Sequence, residues 1–198
     1  MDDPRLDRWL ELLLATPGLT SITDREAARK TLLVGALAGL PYLEDGPVID
    51  VGSGGGSPGI PLAAARPELE FVLLESAAKK CRFLESAAVD FSNVSVVCGR
   101  AEEHAAAGGR DRYATALARA LASPPVAAEW CLPLVREGGR AVLFVGPSAE
   151  TAAVAKVASW LSAELEEAPS GFILLRKMGP TPDRFPRRVG VARKRPLA

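Results

Sequence analysis

Residues Val48 to Gly59 read VIDVGSGGGSPG, an apolar run carrying one acid, Asp50, that breaks into glycines. This pattern predicts a strand that hands over to a helix through a tight turn. Gly52, Gly54, Gly55 and Gly56 can adopt positive φ without a Cβ penalty, so the backbone can turn sharply and let a ligand lie against its amides. Pro58 suits the first turn of the helix that follows. Such a turn is built to hold a nucleotide-like cofactor. Its spacing is ambiguous, because Gly54, Gly56 and Gly59 also satisfy the G-x-G-x-x-G pattern of nicotinamide dinucleotide enzymes. Asp50, two residues before the first glycine, tilts the choice. Enzymes that use S-adenosylmethionine place a carboxylate there, near the amino-acid part of the cofactor, whereas a dinucleotide enzyme has no use for a carboxylate so close to a pyrophosphate.

The loop needs a sheet to hold it. Apolar periodicity predicts a helix from about Leu6 to Leu14, and Thr23 with Glu26 reads as a capping box for a second helix running toward Leu40. Beyond these the pattern alternates. Strands are expected at Pro47 to Val51, Glu70 to Leu74, Val94 to Cys98, Tyr113 to Ala118, Ala141 to Val145 and Gly171 to Met178. Helices are expected after Gly59, from Ala77 to Val89, near Pro124 to Val135, and from Ser148 to Leu165. Strands alternating with helices make an α/β protein with a parallel sheet covered on both faces. In such a sheet the ligand sits beyond the carboxyl ends of the strands. Glu75 follows the second strand, roughly 20 residues after the glycines, where its two oxygens suit the paired hydroxyls of a ribose. The run Gly99, Arg100, Ala101, Glu102, Glu103 follows the third and is placed to frame an adenine.

Composition narrows the class further. A chain of 198 residues with 48% hydrophobic content is long enough to bury one sizeable core. No run approaches the roughly 18 apolar residues of a membrane helix, and the acidic start MDDPR lacks the basic flank of a signal peptide, so the cytoplasm is expected. Cys81, Cys98 and Cys131 have no C-x-x-C spacing and sit among apolar neighbours, which reads as three buried thiols. His104 is the only histidine, so no metal cluster is expected around it and a surface or packing role is. Net charge is zero, yet from Arg176 onward eight basic residues face one acid, Asp183. A basic end on a neutral protein points to a polyanionic partner.

Taken in order, these segments resemble the glucose-inhibited division B family, bacterial methyltransferases that modify guanine N7 in 16S ribosomal RNA. The marks are IDVGSGGGSPGIPL from Ile49, LLESAAKKCRFL from Leu73, NVSVVCGRAEE from Asn93, the triplet Ala118, Arg119, Ala120, CLPLVREGG from Cys131, and FPRRVGVARKRPL from Phe185. The resemblance runs from about Pro47 to Leu197. It implies a class I S-adenosylmethionine-dependent methyltransferase fold, Rossmann-like, with a mostly parallel seven-stranded sheet and helices on both faces. With the periodicity and composition above, the chain divides into an N-terminal helical annex, 1–44, and a cofactor-binding body with a basic C-terminal segment, 45–198, one compact domain expected to be a monomer without metal.

The same resemblance implies that Gly52, Gly54 and Gly56, with Asp50 and Ser53 of the same loop, lie by the methionine part of S-adenosylmethionine. It puts Glu75 on the ribose, Ala101 with Glu102 at the adenine, and Arg119 on the substrate side. The expected partner is 16S rRNA or the small ribosomal subunit. Phe185 is then a candidate for stacking on an exposed base, and Arg187, Arg188, Lys194 and Arg195 for phosphate contacts. The annex departs from the family pattern. Gly18, Leu19, Thr20 stand where Asn-Leu-Thr is usual, and Thr31 to Gly35 replace a His-x-x-Asp-Ser motif. Ser57 replaces an aromatic residue and Val145 a lysine. These departures leave room for a relative that binds RNA without transferring methyl, or one with another acceptor.

Overall fold

The computed structural model describes residues 3–198. Met1 and Asp2, the first two residues of the acidic start, lie outside them. Seven strands form one sheet in the order β3-β2-β1-β4-β5-β7-β6: β1 Val48–Val51, β2 Phe71–Glu75, β3 Val94–Cys98, β4 Tyr113–Arg119, β5 Val135–Phe144, β6 Ala163–Glu166 and β7 Phe172–Lys177. The pairs among β1 to β5 are parallel. Strand β7 runs antiparallel to both β5 and β6. The order reverses between β1 and β4, so the carboxyl ends of β1, β2 and β4 open onto a common crevice, the place where α/β sheets bind ligands.

Helices α1 Pro4–Ala15, α2 Arg25–Ala28, α3 Gly35–Leu37, α4 Gly59–Ala65 and α5 Ala78–Ala88 are followed by α6 Ala101–His104, α7 Pro124–Cys131, α8 Ala152–Trp160 and α9 Val191–Lys194. Leu6, Trp9, Leu10 and Leu13 of α1 are buried with Ile60 of α4, Leu73 of β2 and Phe83 of α5 on one side of the sheet. At roughly 1.5–3 kcal/mol for each buried side chain, this contact ties the annex firmly to the body. On the other side Val126 to Cys131 of α7 and Val154 to Ala158 of α8 cover β1, β4, β5 and β7. None of the helices is long and apolar enough to cross a membrane among the described residues.

Four expectations need correction. The second annex helix is capped by Asp24, whose carboxylate accepts from the Ala27 amide at 2.7 Å, so the Thr23 box does not form. This helix widens into a π-turn over Arg29–Val34 before returning to α geometry. The helix expected from Ser148 to Leu165 stops at Trp160, because Ser162 takes a positive φ of 54° and reverses the chain into β6. Strand β5 starts at Val135, earlier than its apolar core suggests. Finally, Cys81 and Cys98 form a disulfide, with Cα atoms 5.8 Å apart. The first turn of α5 packs beside the end of β3, bringing together residues 17 apart, and Cys98 is exposed there. Only Cys131 is a buried thiol, its ionisation pushed up by burial.

Candidate active site

The glycine loop is stitched to the strand beside it. The Gly52 and Ser53 amides both donate to Leu74 O, at 2.7 and 3.1 Å, and the Gly56 amide donates back to Ser53 O at 2.7 Å. Gly52 has φ +71°, and a Cβ there would lie 2.3 Å from Leu121 Cδ1, so this position needs glycine for both its backbone and its space. The annex clamps the loop from outside. Trp9 Nε1 donates to Gly55 O at 2.8 Å, and Ser57 Oγ donates to Leu32 O at 2.7 Å.

Asp50 lies beneath the loop and lines neither of the cavities described below. Its Oδ2 accepts from the Gly59 amide at 3.1 Å, tying the end of β1 to the start of α4, while its buried Oδ1 has no partner among the described residues. Burial pushes the Asp50 carboxyl up to about 7, against the pull of the Gly59 amide and Ser53. The geometry makes Asp50 an internal brace of the loop. Glu75 sits at the loop's edge. Its Oε2 accepts from the Gly54 amide at 3.0 Å, and its Oε1 from the Ser76 and Ala77 amides at 2.8 Å each.

Two cavities meet at Gly52. The first, about 320 Å³, is walled by Val51, Leu74, Leu121, Ala101, Glu102 and Trp130. It is narrow, largely apolar and bounded by backbone, and its volume is at the lower edge for a small-ligand site. Glu102 Oε1 accepts from Trp130 Nε1 at 3.0 Å and from the Gly190 amide at 3.2 Å, which folds the C-terminal segment against this wall. The second, about 680 Å³, is lined by Ser53, Gly54, Gly55 and Ser57 of the loop, Leu32 of the annex, Lys80 and Arg119. Arg119 ends β4, and its Nη1 donates to Ser57 Oγ at 3.2 Å. Burial lowers the Arg119 pKa from its usual value, partly offset by Asp50. No Asp, His, Cys or Tyr lines either cavity among the described residues.

The structure thus gathers Gly52, Ser53, Gly54, Glu75, Ala101, Glu102 and Arg119 around one crevice. Gly56 turns the loop just behind, with φ +95°. The C-terminal candidates separate. Phe185 is 2% exposed and belongs to the core, so it pins the tail instead of offering a stacking face. Arg187 makes two short bonds, 2.5 and 2.6 Å, to the carboxylate of buried Glu129, so its charge is spent inside the protein. Arg188, Lys194 and Arg195 are exposed. His104 packs as expected, its Nε2 2.6 Å from the Tyr113 hydroxyl. Sequence reasoning missed Trp130 and Leu121, which wall the first cavity. Leu121 lies in the loop after β4, over Gly52, and Trp130 is brought to the cavity by α7 packing beside α6, where it bonds Glu102.

A sheet in this order with an antiparallel β7, and a glycine loop at the carboxyl end of β1, is the class I S-adenosylmethionine-dependent methyltransferase fold. Solved structures bear this out. A precorrin-6y C5,15-methyltransferase from Geobacter metallireducens superposes with a TM-score of 0.55 at 16% identity, covering 81% of this chain and 90% of that one. A 16S rRNA N2 methyltransferase of T. thermophilus, solved with AdoMet and guanosine, superposes with a TM-score of 0.52 at 15% identity over 70% of this chain and 37% of that one. The family model for rRNA small subunit methyltransferase G, GidB, matches residues 5–172, and the chain belongs to this family. A relative of that name from Rubrobacter xylanophilus is 44% identical over 175 residues, 79% of this chain and 67% of the relative. Another, from Thermotoga maritima, is 35% identical over 207 residues, 98% of this chain and 87% of the relative.

Proposed function

We propose that this protein transfers a methyl group from S-adenosylmethionine to N7 of a guanine in 16S ribosomal RNA, presented as free RNA or in the small subunit, in the cytoplasm. The observation that carries the reading is the pair of cavities joined at Gly52 in a member of the GidB family. The residues fit the donor. The first cavity suits a flat purine, with Ala101, Glu102 and Trp130 on its walls, and Glu75, bonded to Gly54 of one cavity and Ser76 of the other, keeps one lone pair on Oε2 for a ribose hydroxyl. The open backbone of Gly52, Ser53, Gly54 and Gly56 holds the amino-acid part. Asp50 supports that loop from below.

The bound donor supplies an electrophilic methyl group on a sulfonium. Guanine N7 carries a lone pair and no proton, so its attack needs no general base. The protein's task is alignment, and orientation can supply on the order of 7 kcal/mol of barrier reduction. Loop and annex are bonded into one frame through Ser57 and Trp9, which provides that rigidity. Arg188, Lys194 and Arg195 offer phosphate contacts outside the crevice.

The test is transfer of tritium from methyl-labelled S-adenosylmethionine to small subunits lacking the modification, followed by nuclease digestion and mass mapping. Label on one guanine N7 is expected. No label, in a preparation that binds the donor, overturns the reading.

A further inference from the structure

Next to the two cofactor-side cavities, the ends of β4 and β5 and the start of β7 enclose an open recess of about 750 Å³, lined by Arg119, Ala120, Phe144, Val145, Gly146 and Phe172. It shares Arg119 and Ala120 with the loop-side cavity, so whatever occupies it borders the space assigned to the donor. The Phe144 ring is held in place. A Cβ on Gly39 would lie 2.6 Å from Phe144 Cζ, and the Phe172 ring packs at 4.9 Å between centroids, with Tyr42 5.0 Å beyond it. On the recess side the Arg119 guanidinium stands 5.9 Å from the Phe144 centroid. Its Nη1 donates to Ser57, it forms no salt bridge among the described residues, and the anionic group that acts on it is buried Asp50.

A half-buried cation facing an aromatic ring beside an open recess is a receptor for a flat π-system. A sandwiched base needs two stacking gaps of about 3.4 Å, or roughly 7 Å. At 5.9 Å Arg119 and Phe144 form a direct cation–π pair, so the base enters by displacing the guanidinium about 1 Å, at the expense of its 3.2 Å bond to Ser57. We propose that the target guanine is held between the Phe144 ring and the Arg119 guanidinium. The proposal rests on the guanine-N7 reading above and adds the site that receives the base.

The chemistry favours this arrangement over edge recognition. Arginine commonly reads guanine through O6 and N7 together, which would occupy the lone pair that must attack. Contact through the π-faces leaves N7 free and turned toward the loop-side cavity. Transfer then places a positive charge on the purine beside the guanidinium. The stack weakens once the methyl group has moved, and the product leaves more readily than the substrate.

The experiment compares the full-length wild type with Phe144→Leu, which keeps apolar bulk but removes the ring, and Phe144→Tyr, which keeps it. Three quantities are measured: KM and kcat with unmodified small subunits, the S-adenosylmethionine Kd by calorimetry, and quenching of a 2-aminopurine placed in a single-stranded oligoribonucleotide. For F144L we expect at least a fivefold loss of kcat/KM, lost quenching, and a donor Kd within twofold of wild type, with F144Y recovering most of both losses. Normal kinetics and quenching in F144L overturn the proposal. A wild type that quenches the probe but transfers no methyl refutes the methyltransferase reading, and the quenching difference still decides the base site. A thermal midpoint for F144L within a few degrees of wild type confirms that folding is not the cause.

Discussion

Replacing Gly52 with alanine tests the idea that this one position sets the geometry of the crevice. The added methyl would stand 2.3 Å from Leu121 Cδ1, more than 1 Å inside the ~3.5–4.0 Å optimum for carbon contacts. It would also sit on a backbone with φ +71°, where a side chain costs about 1–2 kcal/mol. Overpacking of this kind adds about 1–3 kcal/mol, so the substitution should destabilise the protein by roughly 2–5 kcal/mol. Gly52 lines both cavities and Leu121 walls the first, so whatever movement relieves the collision reshapes the donor site. The donor Kd should rise about tenfold or more. The two causes can be separated, because Leu121→Ala removes the collision and leaves the backbone cost. Urea denaturation of G52A, L121A and the double variant should show a coupling of about 1–3 kcal/mol, with G52A costing only about 1–2 kcal/mol in the L121A background. If G52A costs the same in both backgrounds to within about 0.5 kcal/mol, the steric account of this glycine is wrong.

Other consequences can be checked with the same protein. Arg187→Ala should cost about 3 kcal/mol or more in urea, because Glu129 stays buried without its partner, yet leave the salt dependence of RNA binding unchanged. Arg188→Ala and Lys194→Ala should do the reverse, each lowering the slope of log K against log salt by about 0.7–0.9 at little cost in stability; equal slopes for all three variants would remove the tail from the RNA interface. Asp50 has its carboxyl raised to about 7 in the fold against about 3.9 when unfolded, so between those values the folded chain holds the extra proton. Its contribution to stability is therefore full below about pH 4 and is lost as pH rises toward 7. Asp50→Asn, which keeps an acceptor for the Gly59 amide, should flatten that decline in urea midpoints taken from about pH 4.5 to 8. Reduction of the Cys81–Cys98 bond, which closes a short loop of sequence separation 17, should lower stability by about 3 kcal/mol. Identical denaturation curves with and without reductant would show that the bond does not constrain the unfolded chain.

Much of the crevice was legible in linear order because its parts are local. A strand ending in an acid and glycines, with a second acid after the next strand, is written in short segments whose periodicity reports their own conformation. The strands around Ile49, Leu73, Val96 and Leu117 fell close to their expected spans. Once such strands pair in parallel, their carboxyl ends must share one edge, so Gly52, Glu75, Ala101 and Arg119 converge whatever the rest of the chain does. The motifs also carried the family, since their order along the chain is itself information.

What tertiary structure decided was the partner of each side chain. Arg187 and Arg188 are adjacent and chemically identical, yet only the fold brings Glu129, 58 residues earlier, against the first and leaves the second in water. Phe185 beside two arginines has the composition of a base-stacking site, but the gain from burying an aromatic ring won once a core was there to receive it. Cys81 and Cys98 meet because α5 lies along β3, and the neighbours of Phe144 come from the annex, β4 and β7. Periodicity describes how a segment folds on itself; burial, charge pairing and cavity walls depend on contacts between distant segments, and those exist only once the sheet has assembled.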